Sequence, residues 1–178
     1  MPSLWFPDNT VLCNFAAVGQ LRLLRDLLDG RGRWTEAVAR EAAKSARWIP
    51  AMADIAADGW LGTPIEISAP DAERIEAIRV AALGGSRDAP LRHLGEAQTC
   101  FYIKERAGIT ESVWITDDEA AYDYGKRIGL LTWDKTTVLA HIVSDGVLSA
   151  ADALALLREM QDADRNPRRI PAKPGDLA

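Results

Sequence analysis

Two adjacent aspartates, Asp117 and Asp118, close a short run of β-forming residues: Val113, Trp114 and Ile115, then Thr116. Either aspartate suits the N-cap of the helix that follows, where a carboxylate meets the positive end of the helix dipole. No Lys or Arg lies within Thr116–Glu119 to neutralise the pair, so the spacing also predicts a cation site. The arrangement recurs at the start of the chain, where Leu4, Trp5 and Phe6 run through Pro7 into Asp8. Two further acids, Glu41 and Glu96, fall in or at the head of apolar helical patterns. Taken singly, Asp8 and Asp117 are as well explained as caps, and Glu41 as a solvated helix residue. Taken together at one sheet edge, the carboxylates repel and raise one another's pKa unless a cation joins them. Carboxylate oxygens favour hard ions, so Mg²⁺ or Mn²⁺ is the expected cofactor in place of Zn²⁺. Such an ion activates water and stabilises charge on a phosphodiester.

The elements that must position these acids are legible from periodicity. Ala120, Ala121, Tyr124 and Ile128 recur at helical spacing until Gly129, and Leu130–Leu131 begins a new apolar run. That is strand, helix, strand, which reads as part of a parallel α/β sheet with its ligands beyond the strands' carboxyl ends. Asp8, Asn9 and Thr10 open a helix through Phe15, and Leu21 to Leu28 continue as another. Further helices are expected over 36–46, from Pro50 to about Asp58, from Pro70 to Gly84, and from Leu94 to near Gly108. Ile65 and Ile67 alternate with polar neighbours and predict a short strand, Thr132–Asp134 a loop, and Thr136–Val143 a helix. Ser149 is placed to cap the last helix. One domain is expected over 1–164, with the polar, proline-bearing stretch 165–178 as a flexible tail.

A chain of 178 residues, 48% hydrophobic, is long enough for a substantial core. Its net charge of −5 excludes a polycation that binds nucleic acid by bulk charge, though not an enzyme with a local basic rim. Arg87, Arg92, Lys104, Lys126 and Arg127 are candidates for that rim, and Trp133 for a base-stacking surface, with core packing as its competing role. His93 and His141 have no metal partner at a suitable spacing and read as structural or surface residues. The start MPSLWFPDNT predicts no signal peptide, and no apolar run approaches the roughly 18 residues of a membrane span. Cys13 and Cys100 belong to no CxxC pair, so reduced thiols in a cytoplasmic protein are expected.

The order Asp8-Asn9-Thr10-Val11-Leu12, Glu41, Leu94-Gly95-Glu96-Ala97 and Thr116-Asp117-Asp118 with Ala120 and Ala121 resembles the PIN-domain nucleases. The likeness runs from residue 4 to about 160 and is nearest in layout to the single-domain bacterial type, including VapC-like toxins. It implies a three-layer α/β/α sandwich with a parallel sheet and Mg²⁺- or Mn²⁺-dependent hydrolysis of single-stranded RNA. By the same resemblance, Asp8, Glu96 and Asp117 hold the metal, with Asp118 as neighbour or substitute, and Glu41 completes the catalytic set. A homodimer and an antitoxin protein are the implied partners. Departures from the family pattern are Thr10, Gln98 where relatives often carry another Glu, and Leu131-Thr132-Trp133 in place of a Gly-Thr turn. The competing reading is a PIN-like binding or scaffold module with little catalysis.

Overall fold

Strands β1 (Leu4–Pro7), β2 (Ser112–Ile115) and β3 (Leu131–Trp133) form a parallel sheet in the order β1-β2-β3. The structure is a computed structural model that describes residues 4–108, 111–163 and 170–177. Between β1 and β2 run α1 (Asn9–Ala17), α2 (Leu21–Leu28), α3 (Glu36–Ser45), α4 (Met52–Asp58), α5 (Ala69–Ala81) and α6 (Leu94–Tyr102). A π-helical stretch, Ile103–Ala107, extends α6, and its last turn closes at Gly108. Helix α7 (Glu119–Arg127) joins β2 to β3, and α8 (Lys135–Ser144) and α9 (Ala150–Asp162) follow.

The central strand explains the layering. All four residues of β2 are buried, so both faces of the sheet must be covered. Trp5, Val113 and Ile115 share one core with apolar residues of α1, α2, α3, α4, α8 and α9. Phe6 and Trp114 point to the opposite face and pack with α5, α6 and α7. The result is the expected three-layer α/β/α sandwich. Helix α7 approaches the sheet closely because Gly125 has no Cβ; one built there would collide with Thr132 Oγ1 and lie 3.1 Å from the Trp114 ring. The outer edge of β1 is sealed by backbone bonds from Trp5 N–H to Arg31 O (3.0 Å) and from Arg33 N–H to Trp5 O (2.8 Å), which removes a free template for strand addition.

Three expectations need correction. Thr132 and Trp133 are strand residues and not a loop, because they register with Trp114 and Ile115 of β2. Both are good strand formers once a neighbour offers its ladder. Ile65 and Ile67 build no strand: only an isolated bridge joins Ile65 to Thr35, since no neighbouring strand lies alongside to extend it. Of the expected tail, residues 165–169 lie outside the described residues, whereas 170–177 pack on the domain. Pro174–Leu177 forms a 3₁₀ turn against α8 and α9, Leu177 is 2% exposed, and Ile170 rests on the same core. Two apolar side chains in a polar stretch were enough to anchor it. No helix among the described residues is long and apolar enough to cross a membrane.

Candidate active site

The acids gather at the carboxyl edge of the sheet because the ladder runs past the strand ends. Asp8 N–H donates to Ile115 O (2.9 Å) and Thr116 N–H to Trp133 O (2.9 Å), fixing both strand tips. Asp8 then caps α1: Oδ1 accepts from Val11 N–H at 2.7 Å, while Oδ2 accepts from the Thr116 hydroxyl at 2.5 Å. Thr116 Oγ1 in turn accepts from Asp118 N–H (3.2 Å), so one hydroxyl ties the two tips together. Asp118 caps α7 through Oδ1, which accepts from Ala121 N–H at 2.8 Å. Capping and metal ligation are therefore not rivals here. The cap bond aims the carboxylate and leaves further lone pairs for a cation.

Glu41 and Glu96 reach the same edge from α3 and α6, and the crossing of these helices depends on Gly95. A Cβ at that position would lie 3.1 Å from both Glu41 Oε2 and Val38 Cγ2. In its absence Gly95 N–H donates to the Glu41 carboxylate. Gln98 locks the pair further. Its Oε1 accepts from Ala37 N–H (3.0 Å) and its Nε2 donates to Glu36 Oε1 (3.2 Å), satisfying an orphan amide at the start of α3. The N-cap Thr35 offers α3 no side-chain bond, so Gln98 supplies the cap from a neighbouring helix.

Crowding and burial govern the electrostatics. Burial, then the charge of Glu96, raises Asp8 well above the usual carboxylate range, against the hydrogen bonds from Thr116 and Val11. Burial and Glu96 likewise push Glu41 up to about 7, with the Gly95 N–H opposing. Glu96 itself is raised, first by burial and also by Asp118, while His93 pulls it back. His93 Nδ1 stands 3.8 Å from Glu96 Oε1 and 4.0 Å from Asp118 Oδ2. His93, Glu96 and Asp118 each offer one ligand atom, all within 4.8 Å of one another. A set of desolvated, mutually repelling oxygen donors is what a divalent cation requires, and the residues present fit one.

A family model described as a PIN domain matches residues 5–170, taking in both strand tips and both helical glutamates. The chain belongs to the PIN-domain family. No curated protein and no solved structure matches it significantly. Membership carries a nuclease-type function and a nucleic-acid substrate, and PIN domains generally use divalent metals.

Within this PIN domain the five acids singled out from sequence do not stand alike. Asp8 and Glu41 each feel the charge of Glu96, Asp8 also feels that of Asp117, and Asp118 faces Glu96. Asp117 is turned inward. Its Oδ2 accepts from Asn14 Nδ2 at 2.7 Å and lies 3.3 Å from Lys135 Nζ, and its Oδ1 accepts from Lys135 N–H at 3.2 Å. Burial raises its pKa, and Lys135 opposes the rise.

Sequence reasoning missed several residues. His93 enters the site only because it adopts φ +60° just before α6, a left-handed turn that no spacing rule announces for histidine. Arg79, fully buried, holds the loop before it: its guanidinium donates to Ala89 O, Arg92 O and Ser86 O, and pairs with Glu76. Lys126 and Arg127 belong to no rim at this edge. They end α7, a helix that starts at the acids and carries them about 12 Å away. Arg40 and Lys44 on α3 flank Glu41 instead, and Trp48, just beyond α3, is 85% exposed. Trp133 packs edge-on against Trp5 and His141, with ring centroids 5.0 Å apart in each case, so its role is in the core.

Proposed function

We propose that this PIN domain is a metal-dependent endoribonuclease that cuts single-stranded RNA with Mg²⁺ or Mn²⁺ as cofactor. The observation that supports it most is the convergence of Asp8, Glu41, Glu96 and Asp118 at one sheet edge, with Asp8, Glu41 and Glu96 held above their ordinary pKa by burial and mutual charge. These four would hold the ion, with His93 at its side and Asp117 behind Asp8. A divalent ion bound there supplies a Lewis acid for the scissile phosphodiester and a means of activating water.

The chain's own residues do the rest. Thr116 and the first turn of α1 orient Asp8, and the cap bond to Ala121 orients Asp118. Glu41, raised in the ion-free site by burial and by Glu96, would be drawn to its ionised form by a bound divalent ion and so complete the donor set. Arg40 and Lys44 lie beside it to receive phosphates, and Trp48 offers a ring on which a base can stack.

The VapC-like layout of the motifs supports a narrower reading: a toxin that works as a homodimer in the cytoplasm and is silenced by an antitoxin protein. The deciding experiment is cleavage of a labelled, largely unstructured RNA with Mn²⁺, with EDTA, and by an Asp8→Ala variant. Cleavage that needs both metal and carboxylate establishes the nuclease. Cleavage that persists in EDTA or in the variant refutes the site, and intact RNA in every lane favours the scaffold role. Co-purification with the product of the adjacent gene, together with loss of cleavage, would establish the toxin.

A further inference from the structure

Among the described residues, Lys135 is a buried cation at this edge that the proposed chemistry leaves unused. It is 1% exposed, and it occupies the first position of α8, where the helix dipole disfavours positive charge. Both circumstances are costly for an ammonium group, so its position must be compensated locally. The compensation is Asp117, whose carboxylate lies 3.3 Å from Lys135 Nζ and also accepts the Lys135 backbone N–H. With Asn14 Nδ2 on the same oxygen as the ammonium, three protein donors converge on a carboxylate that the PIN resemblance assigns to metal binding. Asn14 Oδ1, meanwhile, is buried without a hydrogen-bond partner among the described residues. The locus thus has the oxygen atoms of a cation site and a protein cation already in it.

We propose that Lys135 is a built-in counter-cation that takes the place of a second divalent ion beside Asp117, leaving a centre for one ion at Asp8, Glu41, Glu96 and Asp118. This rests on the metal-dependent reading above. A divalent ion next to Asp117 would meet the like charge of an ammonium that has no route to solvent, whereas the other four carboxylates have no Lys or Arg bound to them at comparable range among the described residues. Lys135 is then a positioning residue: it fixes the charge and orientation of Asp117 behind Asp8, and it sets the number of ions without touching one.

The test counts ions on the full chain. Mn²⁺ is titrated by calorimetry, and paired Mn²⁺ is detected by the broadening that dipolar coupling gives its electron paramagnetic resonance spectrum. Wild type is expected to take one ion with an uncoupled spectrum. Lys135→Met, which keeps length and loses charge, is expected to take two with a coupled spectrum, and adding Asp117→Asn to it should return the count to one. Two ions on wild type overturn the proposal and leave the nuclease reading intact; this measurement stands even if the variant does not fold. A folded Lys135→Met that still takes one ion overturns it as well, reducing the contact to a structural ion pair. No ion on wild type at millimolar Mn²⁺ overturns the proposal together with the metal-dependent reading beneath it.

Discussion

Replacing Glu41 by Gln should stabilise the metal-free protein at alkaline pH and change little in acid. The Glu41 carboxyl sits near 7, raised from 4.5 chiefly by burial and by Glu96. The folded state therefore binds its proton more tightly than the unfolded chain does. Such a group contributes stability that is fully present below about 4.5 and is lost as pH rises through about 7. At about 1.4 kcal/mol per pH unit, the difference amounts to roughly 3 kcal/mol lost by pH 8. Glu41→Gln removes the charge, keeps an oxygen to accept from Gly95 N–H, and should recover most of that loss. For a domain of this size the gain corresponds to a melting temperature higher by roughly 6–12 °C at pH 8. At pH 5, where the wild-type carboxyl is mostly protonated in the folded state, the two proteins should nearly coincide. Thermal unfolding in EDTA across pH 5–8 measures this directly. Equal melting temperatures at pH 8, or the same offset at both ends of the range, would refute the claim that Glu41 is held charged against its surroundings. Adding Mn²⁺ should reverse the order at pH 8, because the wild type keeps the fuller donor set.

Gly95→Ala should destabilise by about 1–3 kcal/mol through overpacking between α3 and α6, and should also shrink the melting-temperature gain from Mn²⁺, since the new methyl displaces Glu41. Gln98→Ala should cost about 1–2 kcal/mol in urea unfolding by leaving Ala37 N–H unpaired, and Gln98→Glu should not rescue it at neutral pH, because its carboxylate would face Glu36 where Gln98 Nε2 now donates. Trp48→Ala should leave stability unchanged but weaken single-stranded RNA binding by about 1–3 kcal/mol in anisotropy titrations on an Asp8→Asn background. Unaltered RNA affinity would remove Trp48 from the substrate surface.

The strand tips were readable because two local rules agreed there: an apolar run short enough for a strand, then an acidic residue able to cap a helix. Asp8 and Asp118 obey both, and the structure puts each in a cap bond at the sheet edge. Asp117 looked equivalent in sequence, yet its burial partner lies 18 residues on, in Lys135, and no periodicity links the two. His93 was hidden for a related reason, since its approach to Glu96 depends on one left-handed backbone angle and on a loop gathered by Arg79. Gln98 read as a departure from the family pattern; its use as a cap for another helix is visible only once α3 and α6 cross. Leu177 and Ile170 show the limit of composition, because a polar segment is judged loose by its average while two apolar side chains on the core decide where it rests.

The four proposed donors divide evenly between the two sides of the sandwich. Asp8 and Glu41 belong to elements packed on the Trp5 face, Glu96 and Asp118 to elements packed on the Phe6 face. An ion at the edge would act as a clasp between layers that otherwise meet through the sheet and where α3 crosses α6. Without it, charge repulsion at that end favours partial openings in which the amides at the heads of α6 and α7 exchange with solvent while the core of the sheet stays protected. Their exchange should slow as ion concentration rises, in step with the binding free energy, while distant α9 is left unchanged.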